Sequence, residues 1–345
     1  MAVGWDAIYL DCIRRRTVHC FRAAAGALSV LSAFAAGPAY GPCQEVNPAG
    51  SATAATPSPS GCSKQVEIVN PTAEGLVASL NRRGVAYEAR GELDCAIREF
   101  DRAIELKPEY AALYDNRGFV YQNKGDVDRA IQDYDQAIRL EPTDARAFNN
   151  RGIAYYGKGQ FDRAIENYNQ AVAFKSDYAK AYYNRGDAYF SKGDLARAMK
   201  DYEEAIRLNP KIAEARCNRG VVYLRLGDLD RAIAEFDNAI QLKPDFSYAY
   251  NNRGSAWNAK GEKGRAIEDY SEAIRLKPEY AEAFDNRGAV YADEGQLDRA
   301  IQDFDEAVRL RPDDAAALRN RADAYTKKAE RDRLAQISRG KPGPQ

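Results

Sequence analysis

Three residue types recur in this sequence at one fixed spacing, and the spacing says what chemistry they could share. Asn116, Asn150, Asn184, Asn218, Asn252, Asn286 and Asn320 stand 34 residues apart. A carboxamide offers a donor and an acceptor together, so a column of them can pair with peptide groups whatever side chains a ligand carries. Beside it runs a second column of Arg83, Arg117, Arg151, Arg185, Arg219, Arg253, Arg287 and Arg321. Acids follow at matching spacing: Glu99, Asp133, Asp201, Glu235, Asp269 and Asp303, with Asn167 as the exception, then Asp101, Asp135, Glu203, Asp237 and Asp305. An unpaired charge in a packed stripe is expensive, so repeated, partly buried Arg–carboxylate pairs are expected, bidentate where geometry allows. Anion capture is the competing role for that column.

Catalytic chemistry is poorly provided for. The sole histidine among 345 residues is His19, which removes the usual general base and zinc ligand from the rest of the chain. Neither a Gly-rich phosphate loop nor paired Cys-x-x-Cys is present. No catalytic residue, metal site or cofactor is expected, and hence no enzyme. A formal net charge of −1 gives no footprint for nucleic acid or a membrane surface.

The elements that must position these columns are read from the unit Ala111 to Asp144, AALYDNRGFVYQNKGDVDRAIQDYDQAIRLEPTD. A period of 34 residues marks a repeat architecture before any local assignment is made. Numbering from Ala111 as position 1, Tyr114, Arg117, Gly118 and Tyr121 share one helical face. Gly125 and Asp126 mark a stop and a new N-cap. Ala130, Tyr134, Ala137 and Ile138 form a second stripe, and Pro142 ends it. Each unit is thus a helix pair whose apolar face is covered only by stacking on the next. Units run at about 77–110, 111–144, 145–178, 179–212, 213–246, 247–280 and 281–314. A last helix from Ala315 turns polar beyond Lys327 and can close the open end.

The pattern resembles the tetratricopeptide repeat (TPR) family. It is carried by the bulky position 4 (Leu80, Tyr114, Phe148, Tyr182, Tyr250, Phe284, Leu318; Arg216 departs), Gly84 to Gly288 at position 8, and an aromatic at position 11 from Tyr87 to Tyr325. Alanine at positions 20 and 27 and proline at position 32, with Ser176 the departure in repeat 3, complete it. The resemblance implies an all-α helix-turn-helix solenoid forming a right-handed superhelix, with a C-terminal capping helix. It also implies that positions 2, 5, 6, 9, 12 and 13 of the first helices face a concave groove. The asparagine column, at position 6, then lines that groove with Tyr183, Asp187, Tyr248 and Asn251. Such a column is similar to the asparagine ladder of a glycosyltransferase's TPR superhelix, which holds peptide backbones; here the resemblance stops at the repeats. The alternative is that position 6 only hydrogen-bonds within the helix stack.

Ahead of the repeats, Arg14, Arg15, Arg16 and Arg22 precede an apolar run from Ala23 to Ala36, with Ala33-Phe34-Ala35 as a cleavage candidate. Residues 1–36 therefore read as a signal peptide or a weak membrane anchor. The protein is expected to be exported, periplasmic or secreted; it would be anchored by residues 23–41 if uncleaved, or cytoplasmic if the start is misplaced. Residues 37–72 read as a disordered Pro/Ala/Ser-rich linker, and 340–345 as a disordered tail, flanking repeats at 73–314 and a cap at 315–339. Cys43 and Cys62 of the linker pair or stay free, whereas Cys95 and Cys217, four repeats apart, are too distant to bond to each other and read as structural.

These readings converge on a non-enzymatic module that grips an extended peptide or a protein partner's segment, with no nucleic-acid or small-molecule ligand and homo-oligomers possible. The alternative is a scaffold or self-assembling accessory factor of an envelope or secretion complex, working through its outer faces.

Overall fold

The computed structural model describes Cys43 and residues 72–338. The expected leader, nearly all of the linker and the short tail lie outside the described residues. Fifteen helices and no strand occur among those residues, arranged as consecutive pairs. The first helices are α1 (Ala73–Ala89), α3 (Ala111–Asn123), α5 (Ala145–Gly157), α7 (Ala179–Ser191), α9 (Ala213–Arg225), α11 (Ser247–Ala259) and α13 (Ala281–Asp293). Their partners are α2 (Leu93–Leu106), α4 (Val127–Leu140), α6 (Phe161–Phe174), α8 (Leu195–Leu208), α10 (Leu229–Leu242), α12 (Lys263–Leu276) and α14 (Leu297–Leu310), and α15 (Ala315–Ser338) follows alone. No helix among the described residues is long and apolar enough to cross a membrane. Two compact units result, one ending at Leu276 and one beginning at Lys277.

Local signals place the helix ends. Thr72 caps α1 by accepting the Gly75 N–H at 3.1 Å, and the Asp126 carboxylate accepts the Arg129 N–H at 3.2 Å to start α4. Between α3 and α4 the chain passes through Gly125 at φ +85°, a left-handed conformation that other residues adopt at a cost.

Within each pair, a glycine of the first helix lies under an aromatic ring of the second. A Cβ built on Gly152 would sit 2.5 Å from Tyr168 Cε1, and one on Gly118 would sit 2.9 Å from Tyr134 Cε1. Tyr134, Tyr168, Tyr202 and Phe236 are fully buried against these glycines. In the second unit, α15 covers α14 through Ala317 and Ala324, which join clusters containing Ile301, Phe304 and Val308.

Candidate functional site

The first helices of neighbouring repeats meet along one edge, where position 6 of one touches position 5 of the helix before it. Asn116 Nδ2 donates to Asn81 Oδ1 at 2.9 Å, Asn150 to Asp115 Oδ1 at 3.0 Å, and Asn184 to Asn149 Oδ1 at 2.8 Å. In the second unit Asn320 donates to both carboxylate oxygens of Asp285, at 3.0 and 3.1 Å. The same edge is tied again a turn or two later, by Asn123 to Glu88 at 3.1 Å and by Tyr156 with Ser191 at 2.9 Å. These four asparagines therefore spend an amide hydrogen on the stack itself. A carboxamide has further capacity beyond one such bond, a second N–H and the lone pairs of its carbonyl oxygen; at Asn150 that oxygen also accepts the Asn149 amide at 3.4 Å.

The position-5 acceptors were the unrecognised half of this arrangement. Their signal was a polar Asn81, Asp115, Asn149 or Asp285 immediately before each position-6 residue or its equivalent. Where position 5 is not Asn or Asp, the asparagine finds another partner. Tyr183 occupies it in the fourth repeat, and Asn218 donates instead to Asp187 Oδ1 at 2.7 Å. Asp187 is buried and also accepts the Tyr202 hydroxyl at 2.8 Å. Burial, then the charge of Asp187, holds that phenol well above its ordinary range. The Tyr183 ring leans on Tyr202 at 6.3 Å between centroids, and Tyr248 meets Phe246 edge-on at the same separation. Asn251 is fully buried, its main-chain carbonyl accepting the Ser255 hydroxyl at 3.1 Å, and Asn286 is buried in the second unit.

In the fifth repeat position 5 is Cys217, and here the linker enters the structure. Cys43 is disulfide-bonded to Cys217, Cα to Cα 6.0 Å. This corrects the expectation that Cys43 would pair with Cys62 or stay free; Cys217, read as structural, is one half of a cross-link. Cys95 is disulfide-bonded as well. The reading from spacing excluded a bond between Cys95 and Cys217 but could not follow an aperiodic linker back onto the repeats. Cys43 is completely buried. Its main-chain N–H donates to Asn218 Oδ1 at 2.5 Å, and Asn252 Nδ2 donates toward its Sγ at 3.1 Å. Asn218 thus binds Asp187 with its amide hydrogen and a peptide N–H with its carbonyl.

The arginine column is structural in its geometry. Arg117 closes two hydrogen bonds on Asp133, at 2.8 and 2.6 Å, and reaches back to Asp101 of the preceding repeat at 2.6 Å. Arg253 repeats this with Asp269 and Asp237, and Arg185 with Asp201 and Asn169, whereas Arg151 makes one bond to Asn167 and one to Asp135. Arg287 clasps Asp303 twice at 2.8 Å, while Arg83 and Arg219 each make a single contact, to Glu99 and Glu235. Burial disfavours the Arg117 charge, yet the bonds to Asp133 and Asp101 carry it above the usual arginine range. At the same edge Asp115 is nearly inaccessible; burial raises its carboxyl although Arg146, 2.8 Å away, and Asn150 work against that.

With this geometry in view, comparisons with known proteins become informative. A family model described as TPR repeat matches residues 84–125, 123–159, 154–191, 186–227 and 288–328, and one described as tetratricopeptide repeat matches 217–281. No curated protein matches the chain. Among solved structures, that of the APC/C hetero-tetramer Cut9–Hcn1 aligns with TM-score 0.62 at 19% identity, covering 72% of this chain and 48% of that one, so this chain spans about half its length. A tetratricopeptide repeat protein from Parabacteroides merdae aligns with TM-score 0.58 at 20% identity, over 72% of this chain and 99% of that one. PilF of Pseudomonas aeruginosa aligns with TM-score 0.56 at 18% identity, over 61% and 96%. At such identities the likeness is one of fold.

Proposed function

This chain belongs to the tetratricopeptide repeat family, generally a non-enzymatic fold for protein interaction, and from that premise we propose that it grips an extended peptide segment of a protein partner along its first helices. The observation that carries this is Asn218, whose carboxamide is fixed by Asp187 and at the same time accepts a main-chain N–H. A side chain held in register by its neighbour, with a carbonyl left for peptide N–H groups, is what sequence-tolerant backbone recognition needs. Asn116, Asn150 and Asn184 are fixed in the same way from the preceding helix, and stacked helices about 10 Å apart would offer one rung to every third residue of an extended chain at about 3.3 Å per residue. The chain carries out no catalysis of its own and takes neither nucleic acid nor a small-molecule substrate in this reading. Export fits it too, since disulfides persist in oxidising compartments; N-terminal sequencing of the exported form checks this, and an intact Met1 in cytosol refutes it.

The test is a peptide array probed with the full chain and with the double variant Asn150→Ala, Asn184→Ala. Each lost charge-neutral hydrogen bond is worth about 1 kcal/mol, so bound signal should fall at least about tenfold with the fold retained by circular dichroism. Unchanged capture by the double variant would transfer the interaction to the outer faces, as in a scaffold.

A further inference from the structure

We propose that Cys43 is a built-in ligand of this chain's own first-helix edge, occupying the rungs of Asn218 and Asn252 and confining a partner peptide to those of Asn116, Asn150 and Asn184. The inference deepens the peptide-gripping reading above and rests on it.

Three contacts carry it. Cys43 is covalently joined to Cys217, which stands at position 5, where other repeats place the acceptor for the next asparagine. Its N–H is taken by Asn218, the bond a foreign peptide would make. Its sulfur receives the amide of Asn252 at 3.1 Å, so two consecutive rungs are engaged by one residue. Cys43, Cys217, Asn218 and Asn252 are each at most 3% exposed. A buried occupant of this kind leaves no room for a second backbone at the same rungs. The cross-link also removes any competition by dissociation: an uncoupled flexible tether would hold the segment at only about millimolar effective concentration.

The open rungs differ. Asn116, Asn150 and Asn184 are only partly buried. Phe119, one turn beyond Asn116 on the same helical face, is 41% exposed and presents an apolar surface beside that rung. Asp115, at the second of these rungs, is paired with Arg146 at 2.8 Å. Three rungs span roughly 20 Å, or about six residues of extended chain. The partner that fits is a short extended segment bearing an apolar side chain, not a long ligand threading all the repeats.

The experiment uses the full oxidised chain and its Cys43→Ser variant, with Cys43→Ser, Cys217→Ser as a control against a stray thiol. Hydrogen exchange followed by mass spectrometry should find the peptic fragment around residue 43 protected in the wild type and unprotected in both variants, with fragments from α9 and α11 exchanging faster and those from α3 unchanged. The second arm measures fluorescence anisotropy of a labelled probe with the sequence of residues 38–48 and serine in place of Cys43. Cys43→Ser should bind it at least about tenfold more tightly than the wild type, and adding Asn218→Ala should abolish the gain. Exchange of the residue-43 fragment at the unfolded rate in the wild type overturns the proposal, as does equal probe binding by wild type and Cys43→Ser. Protection in the wild type with no probe bound by any variant would leave Cys43 as a clasp alone, sinking the peptide-site reading of these rungs together with the proposal. Loss of array binding on Asn150→Ala, Asn184→Ala would still stand apart from that result.

Discussion

Glu282 shows how a single side chain in this repeat frame can set pH behaviour. It lies at position 2 of α13, and burial, reinforced by Asp285 and Asp314 and only partly offset by Arg311, pushes its carboxyl from 4.5 up to about 7. A folded-state value above the unfolded one means that the folded protein keeps the proton longer. Stability from this group is therefore complete below about pH 4.5 and is lost as pH rises toward 7 and beyond. The isosteric Glu282→Gln, unable to ionise, should match the wild type near pH 4.5 and exceed it at pH 8 by on the order of 2 kcal/mol. Urea denaturation midpoints at the two pH values check this; parallel profiles for the two proteins would show that Glu282 titrates normally. The arginines face the opposite situation. Arg117 and Arg253 have carboxylate partners on the adjacent helices on either side, so removal of one acid would strand a half-buried guanidinium.

At the scale of the helix pair, the close approach of first and second helices depends on glycine at position 8. In α5 a methyl on Gly152 would lie 2.5 Å from Tyr168 Cε1, with Cδ1 at 2.8 Å and Cζ at 3.0 Å. Tyr168 is buried and has no open space to turn into, so Gly152→Ala should destabilise by about 1–3 kcal/mol through overpacking despite the better helix propensity of alanine. Thermal unfolding of Gly152→Ala beside Gly157→Ala, a glycine with nothing within 4 Å of its added Cβ, separates the clash from propensity. This much was legible in advance: the glycine and the ring recur 16 residues apart in every copy, and periodicity turns such recurrence into geometry. Helix bounds, the stop at Gly125, the cap at Asp126 and the arginine–carboxylate pairing were readable for the same reason. What could not be read was anything without a period. Cys43 lies in a Pro- and Ala-rich stretch with no register against the repeats, so nothing in its neighbours directs it to Cys217 rather than Cys62. The asparagine column was visible, but whether its amides face a ligand or one another depends on the rotation between neighbouring first helices. Sequence spacing along one helix does not contain that rotation.

At the scale of the molecule, most links join a repeat only to the one beside it: arginine to the acid 16 residues back, asparagine to the residue 35 back, and lysine to the acid 30 back, as in Lys158–Asp128 and Lys260–Asp230. The Cys43–Cys217 bond, spanning 174 residues, departs from that rule. A stack with nearest-neighbour coupling has a stability close to the sum of its units and interfaces, and its ends have nothing to lean on but their caps. In the unit from Lys277 onward the cap is α15. Its inner side closes over Ile301, Phe304 and Val308 through Ala317 and Ala324, while its outer side carries charge tied back to the repeat by Lys328 and Arg331 at Asp298. A chain stopped after Asp314 would keep every repeat yet expose that apolar surface, comparable to an interaction patch. It should remain helical but become concentration-dependent in mass by light scattering. Restoring a polar face, by Ile301→Lys with Val308→Lys in the shortened chain, should return the mass toward that of a monomer. A shortened chain that stays monodisperse without those changes would mean that α15 is dispensable as a cap, and that its exposed Leu334 and Ile337 were selected for something other than closing the stack.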